Sequence, residues 1–250
     1  YVLPASQSAQ EPLPGRSSSR LRVGDRARGG LLETHFADLP QYLRAGDLLV
    51  RNDTRVVPAL IEGERTSDGS AFTAMFFHRV TSDTWKALCK PAKKLKHGGT
   101  VRIGGRLEAR VLEIPQGSLA TMLPGERWLQ FAPGADLDAL LHEAGRMPLP
   151  PYVKTFHGTP DRYQTTYARS EGAVAAPTAG FHFTDELFAD LQRQGVEVAD
   201  VTLHVGPGTF QPVRSSDYTT HRMLPERYDI TAEASSRVAI ARGEWRRVIA

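Results

Sequence analysis

Between residues 59 and 149 the chain is cut into short runs by Gly, Asp, Ser and Pro, and this texture constrains the fold more than any other feature. The runs are Ala71 to Phe77, Trp85 to Leu88, Thr100 to Ile103, Leu107 to Ile114 and Arg127 to Phe131, each apolar or alternating. Strands this short, divided by turn signals at such intervals, predict a small antiparallel barrel. Asp136 to Ala144 predicts a short helix closing it.

The flanks follow a different pattern. Leu48-Leu49-Val50 is a continuous apolar run of the sort that fills a buried central strand. After the barrel, Pro148 to Tyr152 reads as a rigid extended connector in which three prolines remove backbone donors. Thr184 is a good N-cap, Asp185 and Glu186 suit the positive end of a helix, and Gly195 suits its C′ position, which predicts a helix from about Asp185 to Gln194. Val196 to Val205 follows as a strand. The expected fold is therefore an α/β domain with a mixed sheet, residues 1–58 and 150–250, interrupted by an inserted β-barrel domain, residues 59–149. Residues 1–20, rich in Pro, Ser, Gln and Arg, read as an extended arm lying on the body.

Polar residues cluster where these strands end. The buried run stops in Arg51-Asn52-Asp53-Thr54-Arg55, at the kind of strand end where open α/β sheets bind ligands. Two loops join it: Ala175 to Phe183 (AAPTAGFHF) enters a helix start and carries His182, and Gly206-Pro207-Gly208-Thr209-Phe210 follows His204. Small residues let a ligand approach the backbone, and a helix start favours an anion. Each histidine has two readings, a proton carrier or a hydrogen-bonded packing residue. No phosphate loop with Gly-Lys-Ser/Thr, dinucleotide fingerprint, G-x-S-x-G elbow or HExxH pair is present, and His182, His204 and His221 are too far apart for a local metal motif.

The 250 residues carry a formal charge of +3, which permits an anionic partner without demanding one. The charge is concentrated in CKPAKKLKHGG, where Lys90, Lys93, Lys94 and Lys96 form either a phosphate-gripping loop or a solvated turn. The single Cys89 excludes an intramolecular disulfide and points to a reducing compartment. No apolar run has the length of a membrane span, and YVLPASQSAQEP lacks the regions of a signal peptide. A cytoplasmic protein without a membrane partner, monomeric and without metal, is expected.

Several longer runs carry a resemblance. YVLPASQSAQEP, HFADLPQYLRAGDLLVRNDTRVVPA, KPAKKLK, PLPPY, RYQTTYARSEGAVAAPTAGFHFT, VTLHVGPGTFQPV and the weaker HRMLPERYDI occur in the order found in the S-adenosylmethionine:tRNA ribosyltransferase-isomerases of queuosine biosynthesis, which the chain resembles. The resemblance implies an α/β domain interrupted by a β-barrel. It also implies transfer and isomerisation of the ribosyl moiety of S-adenosylmethionine onto 7-aminomethyl-7-deazaguanine at the tRNA wobble position. The products would be epoxyqueuosine-tRNA, adenine and methionine, with S-adenosylmethionine a stoichiometric substrate and no separate cofactor.

On that reading His182, His204 and Asp53 are the candidates for proton transfer. Asn52, Thr54, Arg55, Gln164, Thr165, Arg169, Thr178, Gly180, Gly206, Gly208 and Thr209 are candidates for the substrate pocket, with Arg55 and Arg169 suited to a carboxylate or phosphate. Tyr163, Tyr167 and Phe181 would stack on adenine or a flipped-out base, or else belong to the core. Lys90, Lys93, Lys94 and Lys96 would bind tRNA. Two departures stand out: Ser17 occupies a position where the family usually has Asp, and the sequence ends at Arg247-Val248-Ile249-Ala250 where the family continues, which suggests a truncated chain of uncertain activity. The rival expectations are a non-catalytic tRNA-binding module and a conventional methyltransferase, the latter disfavoured by the missing glycine-rich loop.

Overall fold

The computed structural model describes residues 4–27, 29–154, 156–211, 213, 216–221 and 223–250. The first three residues of the expected arm lie outside them. The rest of the arm is tied to the body by polar contacts: Gln10 Nε2 donates to the Tyr152 carbonyl at 3.0 Å, and Arg16 donates to the carbonyls of Gln164, Phe181 and Asp161 at 2.9, 3.2 and 3.0 Å. An antiparallel hairpin follows, β1 (Arg20–Asp25) and β2 (Gly30–His35).

β3 (Leu48–Asn52) is the buried strand the apolar run predicts, and β4 (Thr54–Val56) continues it after Asp53. Next come the barrel strands β5 (Leu60–Arg65), β6 (Ala71–Arg79), β7 (Thr84–Lys90), β8 (Thr100–Ile103), β9 (Leu107–Val111) and β10 (Glu126–Phe131). They close in the order β10-β7-β6-β5-β8-β9, every pair antiparallel. Closure leaves no unpaired edge, and the interior is filled by Phe72, Phe76, Val101, Ile103, Val111 and Leu129. Helix α1 (Leu137–Ala144) plugs this interior with Leu137, Leu140 and Leu141; its N-cap is Asp136, whose carboxylate accepts from the Ala139 amide at 2.9 Å. Cys89 is buried in the same cluster, and burial pushes its thiol up to about 12, so it packs rather than reacts.

The chain then forms β11 (Ser170–Ala173), α2 (Asp185–Arg193), β12 (Glu197–His204), β13 (Arg227–Asp229), α3 (Ala232–Gly243) and β14 (Val248–Ile249). α2 starts where the cap predicts: Thr184 Oγ1 accepts from the Leu187 amide at 3.2 Å, a contact of about 1 kcal/mol. Gly195 adopts φ +87 at the far end. The four-stranded sheet has the order β13-β12-β3-β14, with β12 and β14 parallel to β3 and β13 antiparallel to β12. Successive residues of β3 face opposite sides: Leu49 packs with Leu191 of α2, and Leu48 with Ala241 of α3. Both helices thus shield the strand, and its polar C-terminal end emerges beside that of β12. A second, short parallel pair joins β4 to β11, with a bulge between Glu171 and Ala173.

Candidate active site

The end of β3 is built from side chains that replace missing backbone pairing. Asn52 uses its amide as a peptide group, donating to the Leu203 carbonyl and accepting from the Leu203 amide, both at 2.9 Å. Asp53 follows, 2 % exposed. Its Oδ2 accepts from Arg169 Nε and its Oδ1 from Thr202 Oγ1, each at 2.6 Å. Arg169 also reaches Asp200 at 3.5 Å, and Asp200 pairs with Arg51 at 2.5 Å. Arg51 in turn lies over the rings of Tyr167 and Phe188, 4.4 and 4.5 Å from their centroids. With both oxygens engaged inside the protein, Asp53 is suited to holding Arg169 and Thr202 in place, and less to shuttling a proton.

His204, the last residue of β12, sits at the heart of this cluster. Its Nδ1 lies 2.8 Å from Thr54 Oγ1, and its Nε2 lies 3.0 Å from the Arg227 guanidinium. The ring lies against Gly172, which has φ +144; a Cβ there would come within 2.8 Å of two ring atoms. Burial, and then the Arg227 charge, push the imidazole below its usual range, against a weaker pull from Asp53 and Asp229.

His204 and Gly206 open onto a cavity of about 610 Å³ between the sheet edge and the barrel, a size suited to a small organic ligand. The barrel contributes His78, Trp85 and Lys86 to its wall, and Glu171, Glu226 and Arg227 face them. Burial and the nearby Lys86 lower the His78 pKa, whereas the Asp138 carbonyl and then Glu171 raise that of His142 on α1. Imidazoles of opposite tendency therefore line one space.

The other predicted residues are placed as follows. Thr54 and Gly206 belong to the cluster, the Gly206 amide donating to Glu226 Oε1 at 2.7 Å. Arg55 stands nearby with long ion pairs to Glu171 (3.9 Å) and Asp161 (4.0 Å). Gly208 packs against Leu224, and Thr209 is exposed beside it on the 3-10 turn Pro207–Phe210. His182 is not among the residues lining the cavity. Its Nδ1 lies 3.3 Å from the Arg16 carbonyl and its ring 5.2 Å from that of Phe36, so it helps seat the arm. Thr178 and Gly180 lie on the same 3-10 turn as His182, and a Cβ on Gly180 would meet the Tyr167 hydroxyl at 2.3 Å.

Four of the residues expected at the wall are turned into the protein instead. Tyr163 is a core residue packed with Val56, Ala173 and Ala176 and edge-on to Phe181, and burial pushes its hydroxyl up to about 12. Gln164 spends both ends of its amide on the Val56 backbone, at 3.0 and 2.7 Å. Thr165 is buried beside them, and Tyr167 packs edge-on to Phe188 beneath Arg51. The 3-10 turn Pro160–Tyr163 turns Tyr163 inward.

The basic loop is a shaped surface. Leu95 anchors it in the barrel core, and Arg127 donates to the carbonyls of Leu95, Ala92 and Glu126, all at 2.6 Å. Lys90, Lys93, Lys94 and Lys96 are left exposed around it. Among the described residues no group of three or more His, Cys, Asp or Glu side chains is arranged to hold a metal ion. The sequence reading missed Glu171, Gly172, Glu226 and Arg227, and the barrel face around His78. Only Gly172 left a signal, a glycine directly after the polar run Arg169-Ser170-Glu171.

A mixed sheet whose strand ends carry an imidazole, a guanidinium and a carboxylate, facing a barrel across a cavity of about 610 Å³, defines an α/β scaffold with an inserted barrel and ionisable groups at the join. The particular family is given by comparison: the sequence pattern of the family described as "Queuosine biosynthesis protein" matches residues 1–250, and the chain belongs to that family. It is 42 % identical over 252 residues to the S-adenosylmethionine:tRNA ribosyltransferase-isomerase of Moorella thermoacetica, covering 100 % of this chain and 72 % of that protein. The protein of the same name from Staphylococcus aureus strain JH9 is 42 % identical over 251 residues, with 100 % and 71 % covered. A crystal structure of an S-adenosylmethionine tRNA ribosyltransferase from Thermotoga maritima matches with 28 % identity and a TM-score of 0.41, over 99 % of this chain and 66 % of that one.

Proposed function

We propose that the chain acts as an S-adenosylmethionine:tRNA ribosyltransferase-isomerase in queuosine biosynthesis, as its curated relatives are named. It transfers and isomerises the ribosyl moiety of S-adenosylmethionine onto 7-aminomethyl-7-deazaguanine at the tRNA wobble position, releasing adenine and methionine. It acts in the cytoplasm as a monomer, with residues 59–149 as a barrel domain set into an α/β domain. Among the described residues no helix is long and apolar enough to cross a membrane.

The observation that supports the site assignment is His204, held against Gly172 and lining a cavity of about 610 Å³. The donor's sulfonium acidifies the adjacent C5′ hydrogens. His204 accepts one of them, adenine leaves as the ribose ring opens, the amine of the modified base attacks, and closure to the epoxide releases methionine. Thr54 orients the imidazole; Asp53 fixes Arg169 and Thr202 beside it. Asn52, Gly206 and Gly208 shape the strand ends, and Arg55 and Arg169 stand where they can meet an anionic group of either substrate. The lysine loop takes tRNA phosphates.

Incubation with S-adenosylmethionine and tRNA carrying the aminomethyl-deazaguanine, followed by mass spectrometry, is expected to yield adenine and methionine. S-adenosylhomocysteine in place of adenine would make the protein a methyltransferase. Binding of the tRNA with neither product would leave a recognition module.

A further inference from the structure

Three cations reach the cavity wall, and two are already neutralised. Arg79 pairs with Asp138, and Lys86 stands 3.9 Å from Glu126. Arg227 has no carboxylate within ion-pair distance among the described residues; its partner is the His204 ring. A guanidinium has only donors, so Nε2 of His204 must accept. The ring proton of the neutral imidazole then sits on Nδ1 and is donated to Thr54 Oγ1, 2.8 Å away, and the threonine hydroxyl turns to the Ser170 carbonyl at 3.4 Å. The direction of every hydrogen bond in the chain Arg227, His204, Thr54, Ser170 follows from the guanidinium alone.

We propose that Arg227 is a positioning residue for the transfer reaction: it caps the basic nitrogen of His204 in the free protein and swings onto the α-carboxylate of the sulfonium donor, uncovering Nε2 beside the carbon to be deprotonated. The inference rests on the reaction proposed above. Arg227 is exposed on the three-residue strand β13, so it can exchange one partner for another without disturbing the core. In the step it enables, the C5′–H bond breaks, the proton goes to Nε2, and the electron pair stays on the carbon next to sulfur; Nδ1 keeps its proton on Thr54. The donor is favoured over an RNA phosphate because Arg227 and His204 line the same cavity, whereas none of the loop lysines is among its lining residues.

The charged and titratable groups around the ring are Arg227 and Asp229 from β13 and Asp53 from the end of β3; Glu171 and Glu226 share its cavity, as do His78, Arg79, Lys86 and Glu126 of the barrel and Asp138 and His142 of α1. Arg227 lowers the imidazole's pKa, so Arg227→Ala is expected to move the acid limb of kcat/KM to higher pH. The same variant should raise KM for S-adenosylmethionine about tenfold to a hundredfold, the range for a lost charge-assisted pair, with KM for tRNA unchanged. Arg227→Lys should recover much of that KM, because the ammonium still attracts a carboxylate. A rise in KM for tRNA alone would mean a phosphate ligand and overturn the proposal, as would unchanged kinetics. Long-range 1H–15N NMR of the His204 ring reads the tautomer without turnover: Nδ1–H is expected in the free protein, and Nε2–H would overturn the gate. If the wild type releases no adenine, the reaction fails; calorimetric titration of S-adenosylmethionine into wild type and Arg227→Ala then decides the carboxylate contact by itself.

Discussion

The barrel and the sheet edge bury side chains for opposite ends. Inside the barrel Leu129, Ile103 and Phe72 interlock with the plug of α1, and the strands pair with one another all the way round. At the end of β3 the buried groups are Asp53 and Thr54, with Asn52 standing in for a peptide and His204 leaning on a glycine. One region gains stability from apolar area; the other places polar groups where water is scarce and holds each with a partner. The difference shows that the largest apolar core and the cluster of buried polar groups lie in separate parts of the chain, which face each other across the cavity.

The comparison breaks or sharpens most visibly in the barrel. Leu129→Ala should cost about 2–5 kcal/mol of stability in denaturant unfolding, while kcat of the folded fraction changes little. A large loss of kcat at unchanged stability would mean that the barrel core and the site are coupled. Gly172→Ala should do the reverse. Its Cβ meets the His204 ring at 2.8 Å on a backbone of φ +144, so turnover should fall by about a hundredfold or more, with a modest shift in thermal midpoint. His204→Ala should lose at least as much, and His182→Ala far less.

Acid should weaken the sheet. The Arg247 guanidinium beside Asp47 holds that buried carboxyl below the usual carboxylate range. A depressed folded pKa gives stability that is present above the unfolded value of about 4 and is lost as pH falls through the folded one. Arg247→Gln should therefore lower stability at pH 7 and flatten its dependence below about pH 4, as followed by urea unfolding across pH. The smallest effect is expected at the lysine loop: Lys93→Ala with Lys94→Ala should reduce the slope of log affinity for tRNA against log salt by about 1 to 2. An unchanged slope would leave the loop a solvated turn.

The sequence made the scaffold legible where local chemistry decides structure. Leu48-Leu49-Val50 could only be buried on both faces, Thr184 and Gly195 bracket α2, and the turn residues between 59 and 149 leave room for little but short strands. The site was legible in part, because Asp53, Thr54 and His204 stand at strand ends. What escaped depends on pairing between distant segments. β11 is four residues without periodicity and becomes a strand only through β4; Arg227 lies on a three-residue exposed strand that meets His204 through the β12–β13 pairing. Of the two readings of Tyr163 the core one holds, and its polar neighbour serves the backbone: Gln164 completes the edge of β4.

The three carbonyls gathered by Arg127 have a kinetic consequence. If the loop is the proposed tRNA contact, a shape already set surrenders little further freedom when a polyanion arrives, and its lysines would act as a fixed electrostatic target. Capture of RNA should then be limited by diffusion in the field of the charges, with an association rate that falls with ionic strength and barely changes with temperature beyond the viscosity of water.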